Sequence, residues 1–109
     1  MKCIFCQIVN KKIPKKILYE DDKVIVIKNI KPVAAVHLLI ISKKHIPSIK
    51  GLKPKDKDLI SHMIFVAQKI ARQRKFKGYK LAFNVGKEGG QMIPHLHLHL
   101  LSGKIKALP

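Results

Sequence analysis

Pro94-His95-Leu96-His97-Leu98-His99-Leu100-Leu101 holds three of the chain's six histidines within five consecutive positions. Strict alternation over that length is the period of a strand, not of a helix. As a strand, it projects His95, His97 and His99 to one face and Leu96, Leu98 and Leu100 to the other. The leucine face packs against a core. The histidine face carries imidazoles about 7 Å apart, the two-residue repeat of a strand. Such a row suits metal binding, or acid–base and nucleophilic chemistry near neutral pH.

The rest of the chain narrows that choice. Its 109 residues read as one domain, 1–109, and 47% hydrophobic residues supply a modest core. No run approaches the roughly eighteen apolar residues of a membrane span. The start, Met1-Lys2-Cys3-Ile4-Phe5-Cys6, lacks the long apolar stretch of a secretory leader, so a cytoplasmic location is expected. Two cysteines in a reducing compartment are expected to be free or metal-bound. The net charge of +17 comes from 21 lysines and two arginines, Arg72 and Arg74, against six acids. Such a field attracts polyanions. The lysines are spread along the chain with little aromatic interleaving, which speaks for nonspecific nucleic-acid contact at low salt rather than for a dedicated reader.

The local patterns predict an α+β domain with a mostly antiparallel sheet. Cys3 to Val9 reads as a short N-terminal helix. Ile17–Glu20, Val24–Ile27, Val36–Ser42 and Leu81–Val85 read as strands, joined by the histidine strand. Pro54 to Lys75 reads as the one long helix, with Leu59, Ile60, Met63, Ile64, Ala67, Ile70 and Ala71 at three- and four-residue spacing. Pro54 suits its first turn, and Gly78 reads as its end signal.

Two constellations carry chemistry. Cys3-x-x-Cys6 is the usual first half of a zinc site, with His45 and His95 as candidates for the second half. The alternatives are a redox pair, whose usual βαβ setting is missing, and two buried small residues. Gly86, Gly89 and Gly90 form a loop whose amides can converge on an anion, and the loop runs straight into the histidine strand. A phosphate held there lies beside His97 or His99.

His95-x-His97-x-His99-Leu100-Leu101 resembles the signature of the histidine triad superfamily. Cys3-Ile4-Phe5-Cys6, Ile13-Pro14, Tyr19-Glu20-Asp21-Asp22, Lys43-Lys44-His45-Ile46, Asn84-Val85-Gly86 and Gly89-Gly90-Gln91 extend the resemblance over nearly the whole chain. They point to its branch of histidine triad nucleotide-binding proteins, the purine-nucleoside phosphoramidases. The resemblance implies a homodimer that binds purine nucleoside monophosphates and hydrolyses phosphoramidates or related nucleotidyl bonds. It implies His97 as nucleophile, His99 and His37 as the other catalytic-site histidines, and a His95 carbonyl that orients His97. It further implies Asn84, Gly90 and Gln91 at the phosphate, and Ile4, Phe5, Ile8, Ile27 and Ile30 along the base. Zinc through Cys3, Cys6, His45 and His95 is implied as well.

Several positions depart from that pattern. Asn29 stands where an aspartate often grips the ribose hydroxyls, and keeps an acceptor without the charge. Met92 replaces a leaving-group hydroxyl, and Pro94 an aromatic. Ser102-Gly103-Lys104 replaces Gly-Gly-Arg, and the tail is short, stopping at Pro109. Two other readings stand beside the hydrolase: a catalytically weak nucleotide-binding adaptor, and a zinc-stapled basic module for nucleic acid. The second leaves His97 and His99 without a role.

Overall fold

Strands β2 (Val24–Lys28) and β3 (Val36–Ser42) pair antiparallel, and their alternation sorts apolar residues onto both faces of a sheet. Val24, Val26, Leu38 and Ile40 point one way; Ile25, Ile27, Leu39 and Ile41 point the other. Burial on both faces demands a layer on each side. The computed structural model, which describes residues 3–105 and Leu108, supplies both. The sheet has five strands in the order β1-β2-β3-β5-β4, every pair antiparallel, with β1 Tyr19–Glu20, β4 Lys80–Ala82 and β5 His97–Ser102.

The long helix α2 (Lys57–Gln73) covers the first face. It buries Met63, Val66, Ala67, Ile70 and Ala71, a stripe at three- and four-residue spacing. Leu96, Leu98 and Leu100 meet it in the same core. The short helix α1 (Ile4–Val9) covers part of the second face with Phe5 and Ile8. Cys3 caps it, its Sγ accepting the Cys6 N–H at 3.4 Å. What α1 leaves uncovered on this face is the strip of β3, β5 and β4 that carries the histidines. Among the described residues no helix is long and apolar enough to cross a membrane.

Element boundaries differ from the sequence reading in physically clear ways. Pro54 opens a single 3-10 turn, Pro54–Asp56, and α2 starts only at Lys57. The Asp56 carboxylate accepts the Lys53 N–H at 3.0 Å and holds Lys44 at 2.9 Å, which tightens that turn. The helix closes on Lys75, not Gly78. Lys75 takes a left-handed φ of 58° so that Phe76 can return its N–H to Ala71 and pack on the core. β4 ends at Ala82 rather than Val85: the register would set Phe83, Asn84 and Val85 opposite Leu98, His97 and Leu96, and the ladder stops after Ala82 pairs with His99. β5 begins at His97, after Leu96 has donated to Ile46 and accepted from Ser42, and His95 lies in the bend before it. β1 is only Tyr19–Glu20 instead of Ile17–Glu20, with Leu18 still donating to Val26. Of the last residues, Lys106, Ala107 and Pro109 lie outside the described residues.

Candidate active centre and metal cluster

Register decides which imidazoles meet. Leu39 stands opposite His99 and His37 opposite Leu101, so His37 and His99 are diagonal neighbours on one face. Their ring centroids are 5.1 Å apart, and His97 and His99 are 4.9 Å apart. Phe5 meets His97 edge-on at 5.0 Å and helps fix its plane.

Hydrogen bonds then assign a proton to each ring. The Val33 N–H donates to His37 Nδ1 at 3.2 Å, so the neutral His37 ring carries its proton on Nε2. That Nε2–H donates to His99 Nδ1 at 2.8 Å. His99 must therefore carry its own proton on Nε2. This Nε2–H is buried without a partner among the described residues. An orphaned donor of this kind is costly unless a ligand meets it. His97 is oriented the opposite way: its Nδ1–H donates to the His95 carbonyl at 2.7 Å, leaving Nε2 as a bare lone pair.

The three rings line a cleft of about 320 Å³ together with Phe5, Asn84 and Gly90, with Val33 and Met92 at its lip. Burial pushes the pKa of His37 and His97 below the ordinary histidine value. His99 is pushed down to about 4, by burial first and then by His97 and His37. All three are neutral near pH 7. The arrangement offers one nucleophilic nitrogen and one hydrogen-bond donor to a single anionic centre.

The ring of His95 serves a second site. Its Nε2–H donates to the Ser42 carbonyl at 2.6 Å, which leaves Nδ1 as a lone pair. That Nδ1 lies 3.3 Å from Cys3 Sγ, 3.5 Å from Cys6 Sγ and 3.0 Å from His45 Nδ1. Cys6 Sγ is 3.2 Å from His45 Nδ1, and all four atoms fall within 4.8 Å of one another. Zinc bonds of about 2.0–2.1 Å to nitrogen and about 2.3 Å to sulfur give tetrahedral edges of about 3.3–3.8 Å. Lone pairs turned inward at these separations are the donor set a zinc ion requires. The carbonyl held by His95 Nε2–H is the usual outer support of a metal-bound histidine.

The other sequence-predicted residues divide. Asn84 and Gly90 line the cleft, and Gly90 holds a left-handed φ of 84° that closes the loop. Gln91 sits below the loop: Oε1 accepts the Gly86 N–H, and Nε2 donates to the Pro47 and Ile93 carbonyls, so its side chain braces the loop. Asn29 Nδ2 lies 3.2 Å from His37 Nε2, and Asn29 Oδ1 accepts the Lys31 N–H. Of the expected base wall, Phe5 alone lines the cleft. Ile8 and Ile27 are buried beneath it, because α1 packs on the sheet through these side chains. Ile4 lines a separate groove beside His45 and Pro47, and Ile30 is 79% exposed. Sequence reasoning missed Val33 and Ser42, which act through backbone groups and have no side-chain signature. It also missed Lys80, Ala82 and Ile93 on the cleft wall.

Comparison with known proteins agrees with this geometry. The family profile described as "Scavenger mRNA decapping enzyme C-term binding" matches residues 2–108. An uncharacterised HIT-like protein of Buchnera aphidicola is 45% identical over 103 residues, covering 93% of this chain and 90% of that protein. The crystal structure of a HIT family hydrolase from Legionella pneumophila superposes with a TM-score of 0.93 at 39% identity, covering 99% of this chain and 98% of that one. A zinc-bound histidine triad family protein from Mycobacterium smegmatis superposes with a TM-score of 0.83 at 32% identity, covering 95% of this chain and 76% of that one. With its histidines on one sheet face and its whole length matched, the chain belongs to the histidine triad (HIT) family.

Proposed function

We propose that the protein is a nucleotidyl hydrolase that cleaves purine nucleoside phosphoramidates or related nucleotidyl bonds through a nucleotidyl-His97 intermediate. One observation carries the reading: the bare His97 Nε2 stands in the same cleft as the orphaned His99 Nε2–H. His97 Nε2 attacks the α-phosphorus, forming a nitrogen–phosphorus bond as the bond to the leaving amine breaks. The amine takes a proton from solvent, since Met92 at the lip has none to give. The His99 Nε2–H donates to a non-bridging oxygen as charge builds there. His37 holds His99 in that tautomer, and the His95 carbonyl holds His97 in its own. Water then attacks the phosphorus, breaks the bond to His97 and restores the imidazole. Histidine suits both steps because it is an unprotonated nucleophile near pH 7 and a good leaving group.

Zinc on Cys3, Cys6, His45 and His95 supplies a structural tie between the start of α1 and the bend before β5. The protein works as a cytoplasmic homodimer joined through α2 and the β4 edge. Two features support the dimer: Ile64 and Phe65 stand exposed on α2, and among the described residues β4 is an edge strand with one side unpaired.

Turnover of adenosine phosphoramidate by wild type and His97→Ala tests the chemistry. Quenched wild-type reactions should yield a nucleotidyl adduct by mass spectrometry, and the variant none. Equal turnover by a folded variant refutes the mechanism.

A further inference from the structure

The hydrolase reading leaves the charge of +17 without a role. Strand register and helix direction divide the molecule into two ends, and the acidic side chains all fall at one of them, where β3 finishes. Glu20, Asp21 and Asp22 belong to the β1–β2 hairpin, whose Val24 pairs with Ser42. Asp56 and Asp58 start α2, Asp56 being bound to Lys44. Glu88 is in the glycine loop that Gln91 ties to Pro47.

Among the described residues, the end where β3 begins has cations alone. Lys28 closes β2 opposite Leu38, and Lys80 opens β4 opposite Leu101. Arg74, Lys75 and Lys77 follow α2, and Lys104 follows β5; Ser102 joins the two segments by donating to the Gly78 carbonyl. Among the described residues, the ion pairs use Lys11, Lys43, Lys44 and His62, and none of these six cations.

This basic end is continuous with the active centre. Lys80 lines the cleft itself. His37 borders both the cleft and a hollow of about 180 Å³ lined by Lys28 and Arg74. Tyr79, 41% exposed, stands between Lys77 and Lys80 in sequence. Lysines grip phosphates as point charges, and an exposed aromatic among them offers a base a stacking surface.

We propose that this end docks the phosphodiester chain of a single-stranded oligonucleotide whose terminal nucleotide occupies the cleft; the proposal rests on the nucleotide reading above. A single strand fits because the cleft, at about 320 Å³, admits one nucleotide, which a paired end does not release.

Adenosine monophosphate and an adenosine hexanucleotide with a terminal phosphate, each titrated into the intact protein, test it. The hexanucleotide should bind at least about tenfold tighter than the mononucleotide at low salt. With about four phosphates neutralised, its affinity should fall about 50-fold between about 50 and about 200 mM salt. Lys28→Glu/Arg74→Glu/Lys77→Glu should remove that excess and leave mononucleotide affinity unchanged. Lys53→Glu/Lys55→Glu/Lys57→Glu, an identical change in net charge at the other end, should keep most of it; circular dichroism checks both folds. Equal losses in the two triple variants overturn the proposal, because net charge alone then explains the binding. Polyglutamate or phosphatidylserine vesicles that bind as tightly, with the same dependence on Lys28, Arg74 and Lys77, overturn it in favour of an acidic protein or a membrane. Mononucleotide binding with no gain for the hexanucleotide overturns the docking surface and spares the nucleotide site. Loss of mononucleotide binding with retained hexanucleotide binding refutes the nucleotide site, and the docking of a strand terminus with it.

Discussion

Replacing His37 with alanine separates a positioning role from direct contact with substrate. In the structure His37 passes the constraint set by the Val33 N–H to His99, and so fixes the His99 proton on Nε2. The link is one neutral, buried hydrogen bond, which contributes about 1–1.5 kcal/mol, or about fivefold to tenfold in an equilibrium. His37→Ala should therefore lower kcat on adenosine phosphoramidate by about that factor and move KM little. His99→Ala removes the donor itself and should lower kcat by about 10²–10³-fold. The double variant should be no slower than His99→Ala alone, because His37 acts only through His99. His37→Gln, whose amide can still donate to His99 Nδ1, should recover most of the loss. The assay is steady-state release of amine near pH 7, with thermal melts to confirm folding. A further loss of kcat from His37→Ala in the His99→Ala background would refute the relay, since His37 would then touch substrate on its own.

Four other outcomes follow from the same structure. Protein purified without chelator should carry about one zinc per chain, and Cys3→Ser or chelation should lower Tm more than it lowers activity per folded molecule; metal analysis and calorimetry check this. Because the folded His99 pKa is near 4 against an ordinary 6.5, the folded state binds fewer protons than the unfolded chain in that window. Stability is thus whole above pH 6.5 and falls as pH drops toward 4, by up to about 3 kcal/mol and about 2 after allowance for partial solvent screening; denaturant melts of His99→Gln should show a shallower fall. Leu98→Ala, at the fully buried α2–sheet contact, should cost about 2–5 kcal/mol in the same melts. Sedimentation should show a dimer at micromolar concentration that tightens with added salt, since like charge opposes association; a monomer at low and moderate salt alike contradicts it.

The alternation around His97 and His99, the leucines behind them and the stripe on α2 were legible because each follows a period set by one element. Cys3-x-x-Cys6 was legible because the chemistry of the residues announces itself. The cleft was less so. Ile8 and Phe5 belong to one short helix and look alike in sequence, yet Phe5 borders the cleft and Ile8 is core, a difference set by how α1 lies on the sheet. Gln91 carries the right polar group for a phosphate, but nearby carbonyls and the Gly86 amide take all of it. Val33 and Ser42 contribute an amide and a carbonyl that every non-proline residue has, so only tertiary structure distinguishes them. The polarity of the two ends emerges only when the register brings distant charges side by side.

His95 is divided between two neighbourhoods. Its ring belongs to the thiol cluster, and its carbonyl belongs to His97. The main chain there is also pinned independently: His95 donates to Ile93, and Leu96 bonds to both Ile46 and Ser42. The carbonyl therefore keeps its aim when the ring lets go. Exchange of the sulfurs for hydrocarbon, one residue at a time, is therefore expected to leave the geometry around His97 in place. Relatives with and without the cysteine pair should then differ in heat tolerance and agree in chemistry.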